Sequence, residues 1–407
     1  MPFSFLSVKP LCSLGALCFN NPMAYIQSLQ LNHYRNYGGA DLTGLPCGPV
    51  VLCGANGAGK TNILEAVSFL SPGRGLRTAR IGEVQNRDTV IDAGPWSVSA
   101  LVESQYGPVR IGTGRDGYED KRIVRINGDS AKGGQAAMTE YLSVLWLTPQ
   151  MDRLFQDASS SRRKFLDRMV FAFDPGHAGR MTRYENAMRQ RSKLLQDRVS
   201  ADPAWLSALE ATMAETGVAI AAARSDFTRK LQQGVDRTPA DIQAHFPKAS
   251  LAIKGTVEEL IRRVPALEVE EMLRYQLNES RVRDSETGGA ATGPHKSDLH
   301  VIYETKTMPA DQCSTGEQKA LLIGIVLAHA RMIAAERGAA PVLLLDEVAA
   351  HLDEQRRDVL YRILLDLKAQ VWMTGTDMSL FSSLSGVGQF FTIAQGDLKN
   401  MKQGLAA

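Results

Sequence analysis

The stretch GANGAGKTN, residues 54–62, decides how the rest of the chain is read. It satisfies G-x-x-x-x-G-K-[ST] without a substitution. Such a loop works through its backbone. Consecutive N–H groups and a helix N-terminus converge on phosphate oxygens, and glycine lets the chain come that close. Gly54, Ala55, Asn56, Gly57, Ala58, Gly59 and Asn62 are therefore expected around the phosphates of ATP. Lys60 would reach the β and γ phosphates, and the Thr61 hydroxyl would ligate Mg2+. The flanks supply the right context: strand before, helix after. PVVLC (49–53) is a short apolar run, as a buried strand requires, and NILEAVSFL (62–70) places Ile63, Val67 and Leu70 on one helical face.

Further along the chain, PVLLLDEV (341–348) reads as an apolar strand ending in two acids. Asp346 is expected to hold Mg2+ and Glu347 to act as general base on the attacking water. Between loop and strand lies STGEQK (314–319). Ser314 and Glu317 form S-x-x-E, a capping box for the helix that follows. The order of the three motifs resembles the ABC-type ATPases, whose signature motif brings small residues, Gly and Gln to a helix start. Here these are Ser314, Gly316 and Gln318. A helix N-terminus again offers N–H donors to an anion. The resemblance implies that this one faces a γ-phosphate held by a second subunit, so that ATP joins two chains as a homodimer. HLDEQRR (351–357) sets Leu352 and Asp353 like the D-loop that crosses such an interface. TGTD (374–377) ends the next strand, where transporters carry a switch histidine; none stands here. That counts against a transport ATPase subunit and against fast turnover. The signature motif counts against a small-molecule kinase.

The 407 residues suggest two or three domains, and 44% hydrophobic with 22% charged residues is an ordinary globular balance. A net charge of +2 makes any basic surface a local matter. The five cysteines have no zinc-ligand spacing and point to reduced thiols in the cytoplasm. No apolar run reaches the roughly 18–20 residues that span a bilayer, so no membrane is expected. Residues 1–22 read as a tail or a mis-assigned start, with the true start at Met23.

Alternating segments fill residues 23–148, the N-terminal part of the ATPase head. WSVSALVE, VRIGTG and KRIVRING suggest an antiparallel sheet beside the P-loop core. Helical periodicity dominates residues 149–291, with Met181, Tyr184, Met188 and Leu195 close to one stripe. The β/α pattern returns over 292–401, followed by a tail, 402–407. The predicted fold is α/β: an ABC-type P-loop ATPase head, with a mixed sheet plus an antiparallel sheet, split by a mostly helical insert domain. That insert is too short and too poor in heptads for a long coiled coil.

Six segments together resemble the RecF family of bacterial recombinational repair proteins. They are LNHYRNY (31–37), GANGAGKTNILEAVSFLSPGRGLRT (54–78), LWLTPQMDRLF with SSRRKFLD (145–167), TGPHKSDL (292–299), CSTGEQKALL (313–322) and LLLDEVAAHLD (343–353). Gln150 departs from the acid usual after that proline, Lys296 and Ser297 replace Arg-Asp, and Gly375 interrupts a threonine run. The resemblance implies an ATP-dependent dimer with slow hydrolysis that clamps double-stranded DNA and single-strand/double-strand junctions. It would act with RecO and RecR to load RecA at gaps. It also places Gln150 and Asp353 among the nucleotide-binding residues. Duplex phosphates need Lys and Arg. Arg74, Arg77, Arg162 and Arg163 are the leading candidates. Arg80, Lys164 and the row Arg180, Arg183, Arg189, Arg191 stand behind them.

Overall fold

In the computed structural model the described residues are 24–86, 94–117, 119–197, 202–394 and 396–401. The expected tails 1–22 and 402–407, and Met23, lie outside them.

Period-two alternation makes β1 (Tyr25–Tyr34) and β2 (Tyr37–Leu42) a half-buried hairpin. The apolar β3 (Pro49–Cys53) leads through the glycine loop into α1 (Lys60–Ser68). Then come β4 (Ser97–Ser104), β5 (Gly107–Arg115), β6 (Arg122–Ile126) and β7 (Asp129–Ser130). They complete an antiparallel sheet in the order β2-β1-β4-β5-β6-β7. After β8 (Val144–Leu147) the chain turns helical: α2 (Ser159–Phe171), α3 (His177–Gln196), α4 (Pro203–Asp236) and α5 (Ala240–Gln243). A strand, β9 (Ala249–Lys254), precedes α6 (Thr256–Ile261), α7 (Ala266–Glu279) and α8 (Arg281–Thr287). β10 (Asp298–Tyr303) and β11 (Met308–Pro309) follow, then α9 (Thr315–Arg337) and β12 (Val342–Leu345). The described residues end with α10 (Glu354–Asp366), β13 (Val371–Gly375), β14 (Gln389–Ala394) and β15 (Asp397–Met401).

The second sheet runs β15-β14-β3-β13-β12-β8. All but the edge strand β15 are parallel. Both faces of its central part are covered, so β3, β8, β12 and β13 are buried throughout rather than alternating. Val50, Leu52, Leu344 and Trp372 pack toward the antiparallel sheet and α1, while Val51, Leu345 and Met373 pack against α9 and α10. Because the strands are parallel, the loops after β3, β8, β12 and β13 leave one edge of the sheet. Ligands bind at that edge in open α/β sheets.

Helix α9 is apolar nearly all round, as a helix buried in a core must be. Its length and composition would also suit a bilayer, but most of it is covered by protein. Gly338, with φ +70°, ends it in the left-handed conformation.

Two features differ from the sequence reading. The stretch taken as helical contains β9, which pairs antiparallel with β10 from Asp298↔Lys254 to Tyr303↔Ala249. Its alternation is only six residues long. The second is that the helical stretch is not packed around one core. Helix α4, about 51 Å long at 1.5 Å per residue, belongs to two cores. Phe227, Leu231 and Val235 join the core of the mixed sheet, whereas Leu209, Met213 and Val218 join a smaller one with Tyr184, Val269 and Leu273.

Candidate functional site

The P-loop is gripped from the side by the β1–β2 hairpin tip. The Tyr37 hydroxyl donates to the Gly59 carbonyl at 3.1 Å, and the Asn36 amide to the Ala58 carbonyl at 3.3 Å. Asn62 Nδ2 donates back to Asn36 Oδ1 at 2.6 Å. Gly59 has φ +114°, and a Cβ there would stand 2.5 Å from the Tyr37 hydroxyl. Only glycine fits both demands. Lys60 is buried, and its Nζ donates to the carbonyls of Gly54 (2.7 Å) and Ala55 (2.9 Å). Among the described residues no carboxylate pairs with it. A buried ammonium held only by carbonyl dipoles fits a polyphosphate as its counter-ion.

The acid strand meets the loop as expected. Thr61 Oγ1 donates to Asp346 Oδ1 at 2.9 Å. A hydroxyl beside a carboxylate is the hard-oxygen pair that Mg2+ takes together with phosphate oxygens. Thr374, absent from the sequence-based candidates, completes the arrangement. Its hydroxyl donates to Asp346 Oδ1 at 2.8 Å and accepts from the Glu347 N–H at 2.8 Å. That bond holds Glu347 at φ +53°, a strained backbone for glutamate. The neighbouring Gly375 is required by packing, since a Cβ there would lie 2.6 Å from the Phe381 ring.

The signature side is built differently. Ser314 caps α9, and its N–H donates to Glu317 Oε2 at 2.9 Å. Glu317 also pairs with Lys306. Lys306 first, then the Ser314 donors, draw the Glu317 carboxyl down to about 2. Ser314 and Gly316 are exposed. Gln318 is not: it is 1% exposed, and its amide donates to the Cys313 carbonyl at 2.8 Å. It braces the turn before the helix. Asp353 is exposed and caps α10 by accepting from the Arg356 N–H at 2.8 Å. Gln150 is exposed on the turn after β8. From that turn Asp152 accepts from the buried Lys319 of α9 at 3.0 Å. Among the described residues no hydrogen bond joins the P-loop to residues 314–318.

The arginines separate by their partners. Arg162 is bidentate to Asp298 at 2.7 and 2.8 Å and also donates to the Phe155 carbonyl at 3.1 Å. Arg163 donates to Ser159 Oγ (2.9 Å) and the Ser297 carbonyl (2.6 Å). Most of the Arg162 donors are thus engaged within the fold, whereas both Arg163 bonds come from Nη1. Arg191 is likewise buried between Glu210 and Asp284. Arg74 is exposed with no ion-pair partner among the described residues. Arg77 donates to Asn62 Oδ1 at 2.6 Å and lies 3.4 Å from Glu65. Glu65, fully buried in α1, is held mainly by Arg35 at 2.7 and 2.8 Å. An acid between Ile63, Leu64, Ala66 and Val67 was the available sequence signal for it.

Fold and site together define an ATPase head of the ABC type, with a complete P-loop half and an exposed signature half. A family model described as RecF/RecN/SMC N terminal domain matches residues 25–396. The DNA replication and repair protein RecF of Mesorhizobium japonicum is 48% identical over 374 residues, covering 91% of this chain and 97% of its own. RecF of Brucella suis is 48% identical over 377 residues, covering 92% and 95%. A solved structure of the recombination mediator RecF with ATPγS, from the RecFOR pathway, superposes with a TM-score of 0.81 at 22% identity, covering 94% of this chain and 99% of that one. An Smc head domain from Pyrococcus furiosus, bound to the C-terminal domain of ScpA, superposes at 0.53 with 16% identity, over 93% of this chain and 96% of that one. The chain belongs to the RecF/RecN/SMC family and, within it, to the RecF proteins, ATP-binding proteins of DNA replication and repair.

Proposed function

We propose that this chain is an ATP-dependent, dimerising DNA-binding protein of recombinational repair and replication restart. Two copies would close on two ATP molecules. Each would be held by the P-loop of one chain and the Ser314 helix start of the other. The observation that carries this reading is the separation of the half-sites. The P-loop is tied to the hairpin and to Asp346, while Ser314 and Gly316 stay exposed and unconnected to it.

ATP supplies a γ-phosphate whose charge needs donors from both sides. Lys60 would turn from the Gly54 and Ala55 carbonyls to phosphate oxygens, and Thr61 with Asp346 would hold Mg2+. Glu347 would accept the proton of the attacking water. Hydrolysis would be slow, serving as a switch, because TGTD (374–377) carries no switch histidine at the end of β13. Double-stranded DNA near single-strand gaps would be the ligand, with RecO and RecR as partners in loading RecA, in the cytoplasm.

The test is the mass in solution by light scattering, with and without ATP, using Glu347→Gln to slow hydrolysis, followed by duplex DNA. A doubled mass that retains DNA is expected. A mass unchanged by ATP would remove the composite site and the clamp with it.

A further inference from the structure

On the helical insert, far in sequence from the nucleotide motifs, one helical ridge has a pattern that its own packing does not require. Leu267, Glu271, Tyr275, Glu279, Val282 and Glu286 follow one another at intervals of four, four, four, three and four. Within α7, helix geometry puts Leu267, Glu271, Tyr275 and Glu279 on one face. Val282 and Glu286 follow on α8, which begins after the turn residue Ser280. Apolar and acidic side chains alternate along it. Leu267 is 75% exposed, Tyr275 66% and Val282 75%. From Leu267 to Glu279 it runs about 18 Å at 1.5 Å per residue.

The other face of α7 already serves the fold. Val269, Leu273 and Leu277 are buried with Leu209, Met213 and Tyr184. The exposed ridge therefore adds nothing to that core. Half of the large apolar side chains exposed among the described residues lie in this corner: Trp205, Leu267, Met272, Tyr275 and Val282. Trp205 stands at the start of α4, whose Glu210 holds Arg281 at the α7–α8 joint at 2.6 Å. Single exposed apolar residues are ordinary, but a clustered set marks an interaction surface. The carboxylates decide what kind. They repel nucleic-acid phosphates and anionic lipid alike. They suit lysines and arginines on a segment that also brings apolar anchors at helical spacing.

We infer that the α7–α8 ridge docks a basic, amphipathic segment of a protein partner. For the choice of probes the inference rests on the repair reading above. Purified RecR and RecO from the same bacterium are titrated against the full chain. Three variants are compared with wild type: the triple Leu267→Ser, Tyr275→Ala, Val282→Ser; the double Glu271→Lys, Glu279→Lys; and the flanking Arg274→Ala. Melting temperature and ATP affinity report that each is folded. The triple variant weakens binding of RecR or RecO at least tenfold. The double variant weakens it severalfold and removes its salt dependence, and Arg274→Ala leaves it unchanged. A triple variant that binds both proteins like wild type overturns the ridge alone. Apolar changes that weaken binding while the charge reversal does not would overturn the basic character of the partner. A triple variant that instead lowers the mass of the protein by itself would make a second copy the occupant. Wild-type protein that binds neither probe removes the repair-partner reading, and the ridge assignment falls with it.

Discussion

Lys60 and Ser314 each stand at the start of a helix whose N–H groups suit a phosphate, yet their surroundings differ. Lys60 is buried, and the loop before it is held by Tyr37 and Asn36 from one hairpin and by Asp346 from a distant strand. Ser314 is exposed, and its partner is Glu317, three residues on, itself held by Lys306. The first half-site is shaped by the tertiary structure and is preorganised. The second is shaped by a local motif and stays available to another molecule. The proposed joining of two chains would use this division: the P-loop half can bind ATP in a single chain, and the exposed helix start is left for the phosphate held by another.

Five changes break or sharpen the contrast. Gly59→Ala should have the largest effect, since the methyl group would meet the Tyr37 hydroxyl at a backbone φ of +114°. ATP affinity should fall at least about 100-fold, equivalent to about 2.7 kcal/mol, in a titration with a fluorescent nucleotide. An unchanged affinity would mean that the hairpin does not shape the loop. Ser314→Arg tests the other half. Single chains should keep their ATP affinity within about twofold, while the ATP-dependent doubling of mass disappears; a dimer that persists would refute the cross-chain role.

The arginines carry the same contrast between committed and available groups. Arg162→Ala should lower stability by about 1.5–3 kcal/mol in denaturant unfolding, because it strips a bidentate bond from Asp298. DNA retention, once the protein is folded, should not change. Arg74→Ala should leave stability within about 0.5 kcal/mol and lower the salt slope of duplex binding by about one. Reversed outcomes would exchange their roles.

The smallest effect belongs to the signature cap. Glu317 is held down from its ordinary 4.5 to about 2, chiefly by Lys306. A depressed carboxyl stabilises the folded chain fully above its unfolded value and ceases to do so as pH falls through the folded one. Stability of wild type relative to Glu317→Gln should therefore be greatest above about pH 5 and decline toward pH 2. A difference flat over that window would mean the cap contributes nothing through charge.

Much of this was legible in the residues because it depends on short-range rules. PVVLC, the glycine loop and the helix after it are contiguous, so their chemistry shows in one unbroken run, residues 49–70. S-x-x-E announced the α9 cap, and the observed cap is Ser314 with Glu317. Asp346 at the end of an apolar strand was readable because a carboxylate there needs a cation or a donor, and it meets Thr61. Other features were not legible. β9 lies inside a helical region and is defined by its pairing with β10. Arg162 and Arg163 looked like any basic pair until Asp298 and the Ser297 carbonyl came beside them. Gln318 fitted the signature letters, but its amide points at the Cys313 carbonyl.

By itself the sequence determined the kind of machine. A phosphate loop, a helix cap and an acid strand are local devices, recognisable because each places backbone donors or carboxylates within a few residues of one another. Only the tertiary structure decided which charges are free to act. Whether Arg74 or Arg162 can reach DNA, why Thr374 matters, and what α7 leaves uncovered all depend on neighbours far away in the chain. The physical reason is that a side chain's availability is set by burial and by competing partners, and those exist only once distant segments have packed together.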